Sequence, residues 1–354
     1  MNFSFGEYVL TDYTYVSPPT IDLHEDISIY FLTHGSGEIL GDFNKDLSGR
    51  DADLPKYKRG NVRGVFAAIF PGVESFSPAE SAILEKLYGV WLPATKFRSP
   101  QSLLWEHISI YYKMSEVYGI RIVESLNDIE RCLSGQEICF ILHLEGADAI
   151  DDPYDLVILK KIGLRSIGLT WNYTNKYGTG CAAKKDLGLT DLGEELIKTA
   201  NRLGIIIDLA HASKKTIIDT LEISKKPVII SHTNIRKIVD SPRNIDDEIL
   251  ELIHKNQGVV GISAIGPMIS NKLKPTIDDL IKHFVYVYER YGADILAIGT
   301  DFLGLLGLPA PEGFESIDKL PQLYQKLREK GFSENDIEKI AHKNILRVLK
   351  NNFE

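Results

Sequence analysis

Cysteine is scarce in this chain: Cys132, Cys139 and Cys181 are the whole complement of 354 residues. Three thiols cannot all pair with one another, and their spacing is not that of a thiolate metal site. A disulfide scaffold is therefore excluded, and a reduced, cytoplasmic protein is expected. Basic residues are in deficit too. Lys and Arg number 40 against 49 Asp and Glu, a formal net charge of −9, the opposite of the basic stripe that nucleic-acid phosphates require. Nowhere do about eighteen apolar residues run together, so no membrane span is expected. The opening segment, MNFSFGEYVLTDYTYVSPPT, has neither a basic start nor the continuous apolar stretch of a signal peptide. The closing NILRVLKNNFE is too polar for a lipid-anchor signal. No repeat or low-complexity linker interrupts the chain, and one domain over residues 1–354 is expected.

Short β-branched runs alternate with helical stretches, the pattern of a parallel sheet with crossover helices. Eight such runs fall at 20–26, 62–70, 138–146, 164–172, 204–211, 227–233, 258–266 and 295–302. Several are almost continuously apolar, as in Ile205-Ile206-Ile207 and Val228-Ile229-Ile230, which suits strands buried on both faces. Eight βα units favour a closed (β/α)8 TIM barrel over an open doubly wound sheet. Helices are expected at 191–203 after the N-cap Thr190, at 275–291 on an apolar stripe, at 316–330, and at 334–350 after Ser333. The polar segment 34–61 reads as a long loop after the first strand, and 77–134 as extra helices between the second and third.

Each of several runs ends in groups suited to binding metal. His24 and Asp26 lie two apart in Asp22-Leu23-His24-Glu25-Asp26 and so share one face of a strand. Glu145 closes the third run, His211 the fifth and His232 the sixth, while Asp301 closes the eighth. In a barrel, inward residues at the C-terminal strand ends build the active site. His24 and Asp26 can then chelate one cation, Glu145 can bridge to a second, and His211 with His232 can complete it. Imidazole and carboxylate donors suit Zn2+, with Mn2+, Co2+ or Fe2+ as alternatives. Two such cations bring four positive charges; Asp26, Glu145, a bridging hydroxide and Asp301 bring four negative ones. Asp301 is then placed to hold the nucleophile and pass its proton to a leaving nitrogen, as amide hydrolysis requires.

Plainer readings exist for every part. A His-x-Asp pair is common, Glu145 could be a loop carboxylate, and His211 and His232 could be capped histidines at strand ends. His143 reads as a core or supporting residue below Glu145, and Asp22 as one that orients His24. For His34, His107, His254, His283 and His342 a surface or helix role is favoured, and the cysteines read as inert.

Taken together, DLHED, HLEGAD, GLTDLGEELIKTANRLGIIIDLAHAS, PVIISHTNIRKIVDSPRNI and GTDFLG resemble the membrane (renal) dipeptidase family, the M19 metallopeptidases of the amidohydrolase superfamily. The resemblance runs from Asp22 to the C-terminus. It implies two zinc ions, one held by His24, Asp26 and Glu145 and the other by Glu145, His211 and His232. It implies Asp301 as the catalytic aspartate and Arg243 as the arginine that grips the substrate's carboxylate. The implied partner is a dipeptide-like small molecule, and a homodimer is expected by analogy. One departure stands out. Where the family's dipeptidases typically read Leu-Thr-His, with a histidine that stabilises an oxyanion, this chain reads Leu169-Thr170-Trp171-Asn172. Trp171 can donate one hydrogen bond but cannot become cationic. Trp171, Asn172 or a metal could take over that role, the substrate could differ from a simple dipeptide, or Trp171 could be a packed wall of the pocket. The competing enzyme reading is a barrel amidohydrolase acting on a cyclic amide, lactone or phosphoester. Such enzymes often carry a carboxylated lysine on strand four, and no lysine ends strand four here. A metabolite-binding barrel without turnover is the remaining alternative.

Overall fold

Strands that are apolar on both faces must be covered on both, and the chain does this by closing its sheet on itself and surrounding it with helices. The computed structural model describes residues 17–34, 42–71, 99–305 and 307–353. Its strands are β1 (Thr20–Glu25), β2 (Val62–Ile69), β3 (Arg121–Ile122), β4 (Cys139–Leu144), β5 (Leu164–Gly168), β6 (Ile206–Asp208), β7 (Ile229–Thr233), β8 (Val259–Ile262) and β9 (Leu296–Ile298). They are hydrogen-bonded in the order β2-β1-β9-β8-β7-β6-β5-β4-β3, and a further β2–β4 pairing closes the ring. That closure is parallel and in register from Gly64↔Cys139 to Ile69↔Leu144. The barrel thus has eight parallel strands, β1, β2 and β4–β9, matching the eight expected runs. The two-residue β3 is additional. It flanks Cys139 and Phe140 at the start of β4, before β5 joins at Leu142.

The strands are shorter than their apolar runs. β6 ends at Asp208, so His211 lies beyond the ladder in the left-handed region at φ 63°. The expected loop at 34–61 contains a helix, Leu54–Gly60, capped by Asp53 and ended by Asn61 at φ 54°. Of the segment 77–134, residues 77–98 lie outside the described residues. The remainder forms helices Pro100–Tyr118 and Leu126–Ser134 with β3 between them. The expected helix 334–350 is instead helix Glu334–Glu338, a π-turn over Lys339–Lys343, and helix Asn344–Phe353. Among the described residues no helix is long and apolar enough to cross a membrane.

Two apolar layers hold the structure. The larger lies between strands and surrounding helices. The smaller joins Ile21, Phe66, Ile141, Ile206, Ile229 and Val259 to Ile345, Val348 and Leu349 of the last helix. Ile206, Ile229 and Val259 are the first residues of their strands, so this helix plugs the N-terminal end of the barrel. Polar side chains are left to the opposite mouth. The wall is tight around β7: a Cβ on Gly299 would lie 1.8 Å from the Ser231 carbonyl oxygen, and one on Gly261 1.9 Å from it. Gly299→Ala should therefore destabilise the fold by about 2–3 kcal/mol in thermal or urea unfolding. An unchanged midpoint would show that the barrel wall can yield here.

Candidate metal centre and active site

The turns at the C-terminal strand ends bring the six expected residues together. His24 is in β1 and Asp26 just after it, Glu145 follows β4, His211 follows β6, His232 is in β7, and Asp301 follows β9. All six are buried, none more than 7 % exposed. His24 Nε2 lies 3.7 Å from Glu145 Oε2, 3.8 Å from Asp26 Oδ2 and 3.9 Å from Asp301 Oδ1. The other Glu145 oxygen, Oε1, faces His211 Nε2 at 2.9 Å and His232 Nε2 at 3.5 Å. One carboxylate therefore looks two ways. Three donor groups result, each with ligand atoms within 4.8 Å of one another: His24 with Asp26 and Glu145, Glu145 with His211 and His232, and His24 with His232 and Asp301.

Neighbouring groups decide which imidazole nitrogen carries a lone pair. Asn172 Oδ1 is 2.7 Å from His211 Nδ1, and an amide oxygen only accepts, so His211 Nδ1 is protonated and Nε2 is left as a donor atom. Ser231 Oγ donates to Asp208 Oδ2 at 2.5 Å and so accepts from His232 Nδ1 at 2.9 Å, which frees His232 Nε2 in the same way. Asp208 also accepts from the Ser231 and Ala210 amides at 2.8 and 3.0 Å, and His143 Nε2 lies 3.2 Å from it. His143 in turn sets its ring edge-on to His24 with centroids 5.4 Å apart. A single buried carboxylate thus steadies ligands on both sides of Glu145. Asp22 does comparable work, accepting from the Thr300 amide and hydroxyl at 2.9 and 2.6 Å and from the His24 amide at 3.2 Å. It ties β1 to the turn carrying Asp301.

The charges betray what the site is built for. Burial opposes a charge on His24, but Glu145, Asp26 and Asp301 outweigh it and raise its pKa to about 10. Burial, reinforced by Asp26, lifts Asp301 to about 8. Burial likewise drives Glu145 well above the usual carboxylate range. Burial first, and then neighbouring cations, push His211 and His232 well below the ordinary imidazole value, so both are neutral. Protons here stand where divalent cations would be favoured. The residues present fit such ions. His24 Nδ1 and Nε2 and Asp26 Oδ1 are buried with no hydrogen-bond partner. A Cβ on Gly304 would lie 1.9 Å from Asp26 Oδ2 and 2.7 Å from Asp301 Oδ1, so any larger residue there would press on both carboxylates. His211 and Asp301 both hold left-handed backbone, at φ 63° and 64°, a strained conformation concentrated at functional positions.

Above these donors opens a cavity of about 450 Å³. Arg243 reaches its wall from the loop after β7, 8 % exposed, with Nη2 donating to the His232 carbonyl at 3.3 Å. Trp171 is a wall residue, stacked on the His211 ring at 5.3 Å and 24° and facing Phe70 at 5.2 Å. Asn172, expected at the substrate, borders the cavity while its side chain orients His211. Asp208, Ser231 and Gly304 were not expected at all. The available signals were the Asp three before His211 and the Ser next to His232. Elsewhere His107 bonds Ser28 Oγ at 2.6 Å and His283 bonds the Ile235 amide at 3.0 Å, both in structural roles.

A closed parallel barrel whose mouth gathers buried imidazole and carboxylate donors offers a candidate metal centre where barrel enzymes carry their active sites. Residues 14–353 match the membrane dipeptidase family, Peptidase family M19, and the chain belongs to it. It is accordingly a metallo-dipeptidase by family. Dipeptidase tcpJ of Claviceps purpurea is 27% identical over 314 residues, covering 86% of this chain and 70% of that protein. An uncharacterized dipeptidase of Schizosaccharomyces pombe is 26% identical over 350 residues, covering 98% and 82%. The fold is shared with a Rhodobacter sphaeroides metallo peptidase crystallised with a phosphinate mimic of L-Ala-D-Ala. That likeness has TM-score 0.80, 24% identity and coverage of 95% of this chain and 100% of that one.

The pKa of His24 gives the metal site a pH signature. With its folded-state pKa raised to about 10, His24 is an imidazolium at pH 7, and a cation can bind only by displacing that proton. Affinity for a divalent cation should therefore rise with pH, by up to about tenfold per unit for each proton displaced, and His24's share should level off above about pH 10. Calorimetry in buffers of different ionisation enthalpy should show proton release on binding. Affinity unchanged between pH 7 and 9 would contradict it.

Proposed function

We propose that the chain is a binuclear zinc dipeptidase that hydrolyses the amide of short substrates ending in a free carboxylate. The observation that carries this reading is the two-way Glu145. Its Oε2 faces His24, with Asp26 on the same side, and its Oε1 faces His211 and His232. His24 and Asp26 would hold one ion with Glu145, and His211 and His232 the other. Imidazole and carboxylate donors of this composition would suit Zn2+, with Mn2+, Co2+ or Fe2+ as alternatives. When bound, the two ions supply a water ionised near neutral pH and a Lewis acid for the scissile carbonyl.

The chain's own groups do the rest. Asp301, at the edge of the donor cluster, takes the proton of the attacking water and returns it to the leaving nitrogen, a task its buried carboxylate 3.9 Å from His24 Nε2 is placed for. Arg243 presents a planar fork of N–H donors to the substrate's carboxylate. Trp171 contributes no cation to the developing oxyanion, and its packing on His211 supports a binding role instead. A cavity of about 450 Å³ accommodates a substrate of dipeptide size, in keeping with the dipeptide mimic bound by the Rhodobacter relative.

Hydrolysis of L,L- and L,D-dipeptides by zinc-loaded protein tests the proposal. Asp301→Asn should lower kcat on the order of 100-fold or more while metal content holds. Arg243→Ala should raise KM by about 10- to 100-fold. Dipeptide amides, which lack the carboxylate, should be poor substrates that Arg243→Ala leaves no worse. Full activity of Asp301→Asn, or equal rates on acids and amides, would overturn the mechanism.

A further inference from the structure

The cavity over the donor cluster has two apolar walls facing each other. Phe70 and Trp171 follow β2 and β5, the strands on either side of β4. Ile265 and Met268 follow β8, which stands diametrically across the ring from β4, and Leu305 and Leu308 follow the adjacent β9. The aromatic wall is closely packed: the Trp171 ring centroid lies 5.3 Å from that of His211 and 5.2 Å from that of Phe70. The carboxylates that reach the cavity among the described residues are Asp26, Glu145 and Asp301, all members of the donor cluster. Among the described residues the cation that reaches it without being a donor is Arg243. Asn172 Oδ1 is engaged as well, accepting from His211 Nδ1 and, at 3.3 Å, from the Cys181 thiol.

We propose that the chain selects dipeptides with apolar side chains at both positions, and that Trp171 is the residue that sets this selectivity; the proposal rests on the dipeptidase reading above. A lysine side chain on the substrate meets apolar walls and carboxylates already committed to the donor cluster. Among the described residues a glutamate side chain finds no cation except Arg243, which the substrate's own carboxylate requires. Either charge is then desolvated without a partner, which is unfavourable. A leucine or phenylalanine side chain instead gains by leaving water for the walls. Histidine at position 171 would offer an ionisable edge here; tryptophan offers a broad apolar face with one N–H at its rim.

A panel measured with the zinc-loaded full chain decides the matter. Leu-Leu and Phe-Leu should exceed Lys-Leu, Glu-Leu, Leu-Lys and Leu-Glu in kcat/KM by about 30-fold. Trp171→Ala should shrink the Phe-Leu over Gly-Leu preference by about tenfold, chiefly through KM, and Trp171→Phe should recover most of it. Metal content of each variant separates a lost wall from a disturbed His211. Leu308→Arg, at a half-buried rim position, keeps the question open to test should Trp171→Ala fail to fold. It should raise the relative rate on a glutamate-containing dipeptide. Equal rates on apolar and charged dipeptides, or a preference unmoved by both the Trp171 and Leu308 changes, would overturn the proposal. Hydrolysis of no dipeptide by metal-loaded protein would overturn the dipeptidase reading itself.

Discussion

Asp26, Glu145 and Asp301 are buried together at the mouth of a barrel, within 4 Å of one imidazole nitrogen. Carboxylates crowded into a low-dielectric site repel one another and lose their hydration, and no arrangement of neutral side chains offsets that. Cations do. The raised pKa values of His24 and Asp301 are the same statement made with protons, since the site captures positive charge wherever it can. Much of the surrounding structure follows from keeping this cluster together. Gly304 permits the close approach of Asp26 and Asp301, and the left-handed turns at His211 and Asp301 aim those side chains inward.

Stability and function are separated along the barrel axis. The N-terminal end is an apolar plug, in which Val348 and Leu349 of the last helix meet the first residues of several strands. With the larger layer between strands and helices it supplies apolar packing, and polar groups gather at the other end. Between the two ends sits Asp208, whose three donors come from β7 and from the turn after β6, with His143 Nε2 of β4 3.2 Å away. A candidate ligand such as His232 is thereby held in one tautomer and direction, which would leave little ordering for an ion's binding.

The eight barrel strands were legible because burial on both faces forces nearly continuous β-branched runs. The six donor-site residues were legible because each closes such a run. Helix Leu54–Gly60 was hidden by its polar composition; it starts on an Asp53 cap and Pro55, signals local enough to be lost in a charged segment. The π-turn at Lys339–Lys343 has no periodicity of its own and vanishes inside a helical pattern. Asp208 was missed for a different reason. In Ile206-Ile207-Asp208-Leu209 it looks like the polar half of an alternating strand, and its partners Ser231 and His143 lie on other strands. Partnerships across a barrel are set by register, which one strand's sequence does not contain. Trp171 could be recognised as a departure, but its ring stacked on His211 shows only in the folded structure.

The central claim is that Glu145 bridges two ions. Metal analysis of Glu145→Ala beside His211→Ala, with folding checked by circular dichroism, tests it most directly. The bridging account predicts about two zinc ions per chain in the parent protein. It predicts loss of one when His211 is replaced, and loss of both when Glu145 is. A folded Glu145→Ala protein that still retains both ions would contradict it.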